Sequence, residues 1–259
     1  MVDATLWEHR LIWEKKPVLR AIYSDYYRRI VAECRHGLTL EIGGGTGNLK
    51  AFIPNVISTD IVPEPWLDAA ADAQFLPFRD GSLNNIVAVD VLHHIEYPIR
   101  FLREAERVLQ PGGRLILVEP AITPVSWVFF RLFHPEPVIM GEDPLREGQR
   151  DPNRKPFDAN QAIPTLLFGR YRERMAALVP SLSLAQFERM SLFAYPLSGG
   201  FRPWRLIPQS IVEPMLGFER RLAPMLGSLM AFRLFAVLEK HDDSMDSSSG
   251  RTHRERVTE

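Results

Sequence analysis

Residues 39–50 read TLEIGGGTGNLK, an apolar run followed by four glycines in five residues. Glycine inside a helix or strand costs about 0.5–1 kcal/mol relative to alanine, so this density calls for a local reason. Leu40 and Ile42 read as a buried strand. A glycine-rich turn between a first strand and a helix lets the backbone approach a ligand at the carboxyl edge of a parallel sheet. The dinucleotide fingerprint G-x-G-x-x-G fails in both registers, because its third glycine would fall on Asn48 or on Lys50.

Outward from this stretch the same kind of run recurs. LTLEI (38–42), NVISTDI (55–61), NNIVAVDVL (84–92) and GRLILVEP (113–120) read as buried strands. Between the third and the fourth, YPIRFLREAERVLQPGG (97–113) puts Ile99, Leu102, Ala105 and Leu109 on one helical face and ends at Pro111-Gly112-Gly113. Strands alternating with helices predict an α/β fold, a mostly parallel sheet covered by helices on both faces. Residues 5–34 have helical spacing with a break at Pro17 and predict a helical cover over 1–36. The core then spans 37–120. Eight prolines between 120 and 164 surround the apolar piece VSWVFFRLF (125–133), which predicts an insertion capping the site. With the helix TLLFGRYRERMAALV (165–179), this cap covers 121–180. Residues 181–240 complete the sheet with a strand around QFERMSLFAY (186–195), a helix from about 206 to 229 and the strand AFRLFAVLEK (231–240). Residues 241–259 are polar and serine-rich, and disorder is expected there.

The chain has 259 residues, 46% hydrophobic and 24% charged, with a formal net charge of −1. That composition suits a globular protein with a substantial core and supplies no overall attraction to nucleic acid. Cys34 is the single cysteine, so no internal disulfide can form; a structural thiol and a reducing compartment follow. The first residues lack the apolar core of a secretory signal, and no stretch approaches the roughly 20 apolar residues needed to span a bilayer. A cytoplasmic location is expected, with peripheral membrane contact the alternative.

Taken together, Glu41, Gly43, Gly45 and Gly47 spell E-x-G-x-G-x-G, and here the sequence resembles the class I S-adenosylmethionine-dependent methyltransferases. The resemblance continues in order: Asp60 closing the second strand, ADAQFLPFRDGSLNNIV (71–87), VDVLHHI (89–95) and REAERVLQPGGRLILVEP (103–120). The last two look like blocks of the small-molecule subgroup that includes the quinone-pathway enzymes. The resemblance implies a Rossmann-like fold with a seven-stranded sheet and S-adenosylmethionine as cofactor. It further implies that Asp60 takes the ribose hydroxyls, Asp72 the adenine amino group, and that the Ala73 backbone lies beside the ring. Asp90 and His93 would then flank the methyl group. Glu41 orders the loop or meets the ligand. Where some relatives carry an Asn-Pro-Pro-Tyr block, this chain has VDVLHH, which argues against adenine or glutamine amides as acceptors.

Methyl transfer from a sulfonium needs alignment and exclusion of water; it needs no metal, and none is expected. A hydroxyl or amine acceptor gains from a general base, for which His93, Asp90 and Glu119 are the candidates; His94 and His134 are weaker ones. The expected acceptor is a small molecule or a lipid-like one, and no protein partner is called for. Two other readings stay open at this point: an NAD(P)-dependent oxidoreductase, and a non-catalytic cofactor-binding or assembly protein on the same fold.

Overall fold

The computed structural model describes residues 4–241. Two helices open the chain, α1 (Ala4–Lys15) and α2 (Pro17–Glu33), and the break falls where Pro17 begins the second. The glycine loop follows β1 (Thr39–Ile42), and after it come a short 3-10 turn (Asn48–Ala51), β2 (Ile57–Asp60), β3 (Ala69–Ala70) and β4 (Leu83–Val89). Then follow α3 (Pro98–Val108), β5 (Leu109–Pro120), α4 (Pro124–Phe133), α5 (Ile163–Phe168) and α6 (Arg172–Leu178). β6 (Leu182–Met190), α7 (Ala194–Ser198), α8 (Val212–Met230) and β7 (Arg233–Lys240) complete the fold.

The sheet has seven strands in the order β3-β2-β1-β4-β5-β7-β6, as the Rossmann-like reading requires. Pairing is parallel from β3 through β5, while β7 runs antiparallel to both β5 and β6. Alternation along β5 shows why both faces are covered. Leu115 and Leu117 pack with Ile99, Leu102 and Ala105 of α3, whereas Ile116 and Val118 pack with Leu19, Ile22 and Ile30 of α2. Each such leucine, isoleucine or valine taken fully out of water stabilises the fold by about 1.5–3 kcal/mol.

Several boundaries differ from the sequence expectation. TLLFGRYRERMAALV is two helices, because Gly169 leaves the helical region (φ −112°, ψ −103°) in a spot where a Cβ would lie 2.7 Å from the Thr165 carbonyl oxygen. The helix of residues 97–113 stops at Val108, since Leu109 already pairs with Leu83 in the sheet. The last pair of strands is shifted: β6 ends at Met190, and Ser191, at φ 61°, turns the chain toward α7. The helix expected from about 206 begins at Val212. β3 has two exposed residues and no apolar pattern to announce it. The glycine loop leads into a single 3-10 turn rather than a full helix. Of the tail expected to be disordered, all but His241 lies outside the described residues.

Candidate functional site

The carboxyl ends of β1, β2, β4 and β5 share one edge of the sheet, and the antiparallel β7 starts at that edge, opposite Pro120. The glycine loop is built from beneath. Glu41 is buried and its Oε2 accepts a hydrogen bond from the Ser58 hydroxyl. Directly above this pair lies Gly44, where a Cβ would stand 2.3 Å from Ser58 Oγ. Gly43 has φ 65°, and a Cβ there would sit 2.2 Å from Val91 Cγ2. Gly45, at φ 49°, would meet nothing closer than 3.8 Å. The loop is thus tight against the protein at Gly43 and Gly44 and open at Gly45, which lines the cavity.

Asp60 anchors the loop's far side, its Oδ2 accepting from the Gly45 N–H at 3.0 Å and its Oδ1 from the Val62 N–H at 3.0 Å. Burial raises its pKa, opposed by those backbone donors. Asp72 accepts from the Gln74 N–H through Oδ1 at 2.9 Å, while its buried Oδ2 has no hydrogen bond and faces Arg150 Nη1 at 3.2 Å. Ala73, beside it, is buried. Asp72 Oδ2, without a hydrogen bond and ion-paired only to the exposed Arg150, and a glycine cradle with open space above Gly45 fit a ligand carrying amino and hydroxyl donors. The acceptor set suits S-adenosylmethionine, since Asp60 and Asp72 would repel a pyrophosphate.

Asp90 lines the same cavity, at the end of β4. It has φ 59°, and its carboxylate is held by Arg233 (Nη1 to Oδ1, 2.7 Å) and by the Tyr23 hydroxyl (2.8 Å to Oδ2). Arg233 is itself buried and lies 4.0 Å over the Tyr195 ring. Burial raises the Asp90 pKa and the Arg233 charge opposes it. Arg233 and Tyr23 were not foreseen, although an arginine inside the apolar strand AFRLFAVLEK was a visible signal.

Glu119 is fully buried and serves the next loop. Its Oε1 accepts from the N–H groups of Val91 and Leu92, both at 2.8 Å, and its Oε2 lies 2.7 Å from His93 Nδ1. With no free acceptor toward the cavity, it orders the turn that carries His93 and His94. The other nitrogen of His93, Nε2, faces Glu136 Oε2 at 3.5 Å. Burial alone would lower the His93 pKa, but Glu119 and Glu136 outweigh it and lift it to about 9. Placed between two carboxylates, His93 is biased toward its charged form, which carries no lone pair. His94 stacks on it at 4.2 Å, and its pKa is pushed down to about 4 by burial and by the neighbouring His93. His134 also falls to about 4 through burial, and its Nδ1 accepts from the Glu136 N–H at 3.3 Å. Glu136, which the sequence reading did not single out, is a central member of this cluster. Cys34 is remote from the site and half-buried, its thiol pushed up to about 11 by burial and by Glu33.

One cavity of about 570 Å³ joins these groups. Its floor is the glycine loop with Asp60, Asp72 and Ala73; its far walls carry Phe129, Phe133 and Phe157 from the cap and Phe201 and Trp204 from the loop after α7.

Residues 40–117 match the family model described as a methyltransferase domain. Among curated proteins, the chain is 43% identical over 54 residues to 27-O-demethylrifamycin SV methyltransferase of Amycolatopsis mediterranei, covering 21% of this chain and 20% of that one. It is 31% identical over 103 residues to the ubiquinone/menaquinone biosynthesis C-methyltransferase of Teredinibacter turnerae, covering 31% of this chain and 41% of that one. The chain therefore spans less than half the length of these curated relatives. Among solved structures it resembles a SAM-dependent methyltransferase from Thermotoga maritima, with a TM-score of 0.50 and 14% identity over 89% of this chain and 93% of that chain. At that identity the likeness speaks to the fold.

Proposed function

We propose that this chain, which belongs to the class I S-adenosylmethionine-dependent methyltransferases, transfers a methyl group to a small acceptor with an apolar or lipid-like body. The observation that carries this reading is the single cavity in which the glycine loop, Asp60 and Asp72 face a chamber of aromatic rings. A chamber of that size encloses a small molecule or one end of a lipid. The curated relatives are named for a rifamycin and for quinone biosynthesis, which are small molecules, and this supports the same class of acceptor here.

Bound S-adenosylmethionine supplies an electrophilic methyl group on a sulfonium. The chain's own part is to bind, to align and to exclude water. Asp60, which holds the Gly45 N–H, would take the ribose hydroxyls, and Asp72 Oδ2, now facing the exposed Arg150, would take the adenine amino group beside Ala73. Glu41 acts from below, fixing the loop through Ser58. Asp90, neutralised by Arg233 and bonded to Tyr23, forms a fixed wall rather than a proton acceptor. Aromatic side chains around the chamber keep water from the transfer path.

Calorimetric titration of S-adenosylmethionine and S-adenosylhomocysteine into the wild type and into Asp60→Ala tests this. Losing a charge-assisted acceptor costs about 1.5–3 kcal/mol, so binding by the variant weakens roughly ten- to a hundredfold. Absence of binding by folded wild type removes the reading and returns the oxidoreductase alternative, for which a change in NAD(P)H fluorescence on mixing is the check. Tight binding with no turnover on any panel of phenols, thiols or quinols favours a non-catalytic role.

A further inference from the structure

The cavity contains a cluster that methyl transfer does not require. One nitrogen from each of His93 and His94 and a carboxylate oxygen of Glu136 lie within 4.8 Å of one another. His93 is oriented from behind: its Nδ1 meets the Glu119 carboxylate at 2.7 Å, and Glu119 is itself fixed by two backbone N–H groups. A carboxylate behind a histidine ring is the arrangement that holds a metal-binding imidazole in place. His94 is treated alike. Its ring bonds the backbone of Asp158, while its buried Nδ1 has no partner. Behind Glu136 stands Gln161, almost wholly buried, whose amide nitrogen donates to Glu136 Oε2.

The spacing of one pair of these groups matches that of two ligands on one ion. His93 Nε2 and Glu136 Oε2 are 3.5 Å apart, too long for a strong N–H···O contact. Two ligands bound at about 2.0–2.2 Å to one tetrahedral ion stand about 3.3–3.5 Å apart. Two imidazoles and one carboxylate form a donor set for a divalent transition metal, and three protein ligands leave a position open. All three residues line the cavity, so that position faces the chamber.

We infer that His93, His94 and Glu136 form a site for one zinc-like divalent ion whose open position takes a hydroxyl or thiol of the methyl acceptor. The ion ties the turn after β4 to the segment after α4, so it also closes the cap onto the core. The site is contrary to the sequence expectation of a metal-free reaction. It rests on the methyl-transfer reading only for the identity of the fourth ligand.

Chelator-treated, full-length protein is titrated with Zn²⁺ by calorimetry and with Co²⁺ by visible absorption, for the wild type and for His94→Ala and Glu136→Gln. Circular dichroism checks that each variant is folded, and S-adenosylhomocysteine binding is measured on the wild type. The expected result is one Zn²⁺ per chain at micromolar affinity or tighter, a raised melting temperature with Zn²⁺, intense tetrahedral-type Co²⁺ bands, and at least tenfold weaker binding by each folded variant. Wild type that binds S-adenosylhomocysteine but takes up no stoichiometric Zn²⁺ overturns the metal site and leaves the methyl-transfer reading standing. Zn²⁺ binding that is the same in both variants also overturns it. Zn²⁺ binding of the expected kind without cofactor binding supports the site and removes the methyl-transfer reading instead.

Discussion

Glu41 shows at the scale of one residue how a loop for a ligand is made at a cost to the fold. Burial raises its pKa from 4.5 to about 7, the Ser58 hydrogen bond opposing. A carboxyl whose folded pKa lies above its unfolded one keeps its proton longer in the native state. Ionisation then weighs against folding: there is no penalty below about pH 4.5, it grows as pH rises, and it is complete above about pH 7. A shift of that size corresponds to about 3 kcal/mol at most. Glu41→Gln keeps an oxygen for the Ser58 hydroxyl and removes the ionisation. Relative to the wild type, the variant is expected to gain stability from about pH 4.5 to about pH 7 and to hold that gain to pH 8, as read by urea unfolding at each pH. A difference that does not change with pH would show that Glu41 ionises with the same pKa in the folded and the unfolded chain, and that its burial carries no such cost.

At the scale of elements, the break between α1 and α2 does more than turn the chain. Lys16, in that break, is buried and its Nζ donates to the carbonyls of Gly200, Arg202 and Trp204 at 2.7, 2.7 and 2.9 Å. These residues belong to the loop after α7 that walls the cavity, so the N-terminal cover and the far end of the chain meet at one ammonium group. Lys16→Met keeps the stem and removes the donors. It is expected to destabilise the protein by about 2–3 kcal/mol and to speed hydrogen exchange at 199–204 more than in β4 or β5. Equal protection of that loop in both proteins would rule out the staple. The sequence made the central strands and α2 and α3 legible because each is a continuous apolar pattern of one period, and it put the glycine loop and Asp60 at strand ends, where a doubly wound sheet opens; Asp72, after a strand with no apolar pattern, is singled out by the family resemblance alone. It did not reveal Arg233 against Asp90, or Glu136 against His93. Those pairs join residues far apart in the chain, and they depend on an antiparallel last strand and on a proline-rich segment without periodicity. The same limit explains the roles of Asp90 and Glu119: both acids are where the strand pattern placed them, but their partners decide what they do.

Across the whole molecule, the cap presents two faces with different chemistry. The inner side of α4 packs Phe129 and Phe130 against Phe232, and Phe129 and Phe133 line the cavity. Its outer side exposes Trp127, Val128, Leu132 and Phe133, with Leu132 67% and Phe133 57% exposed, and Arg131 lies 5.3 Å over Trp127. Neighbouring α8 adds exposed Met225 and Leu229. Among the described residues, no helix is long and apolar enough to cross a membrane. An apolar face with an aromatic and a basic residue can still lie in an interface, and here that face runs directly into the cavity mouth at Phe133. A lipid-like acceptor would then reach the aromatic chamber without leaving its bilayer. The wild type is expected to float with anionic vesicles. Leu132→Glu, a change at an exposed position with little effect on folding, is expected to reduce that flotation severalfold, and raising the salt concentration to weaken it further through Arg131. Wild type that stays at the bottom of the gradient at low salt would remove the lipid surface from the reading, and the acceptor would then be a small molecule taken from solution through the same mouth.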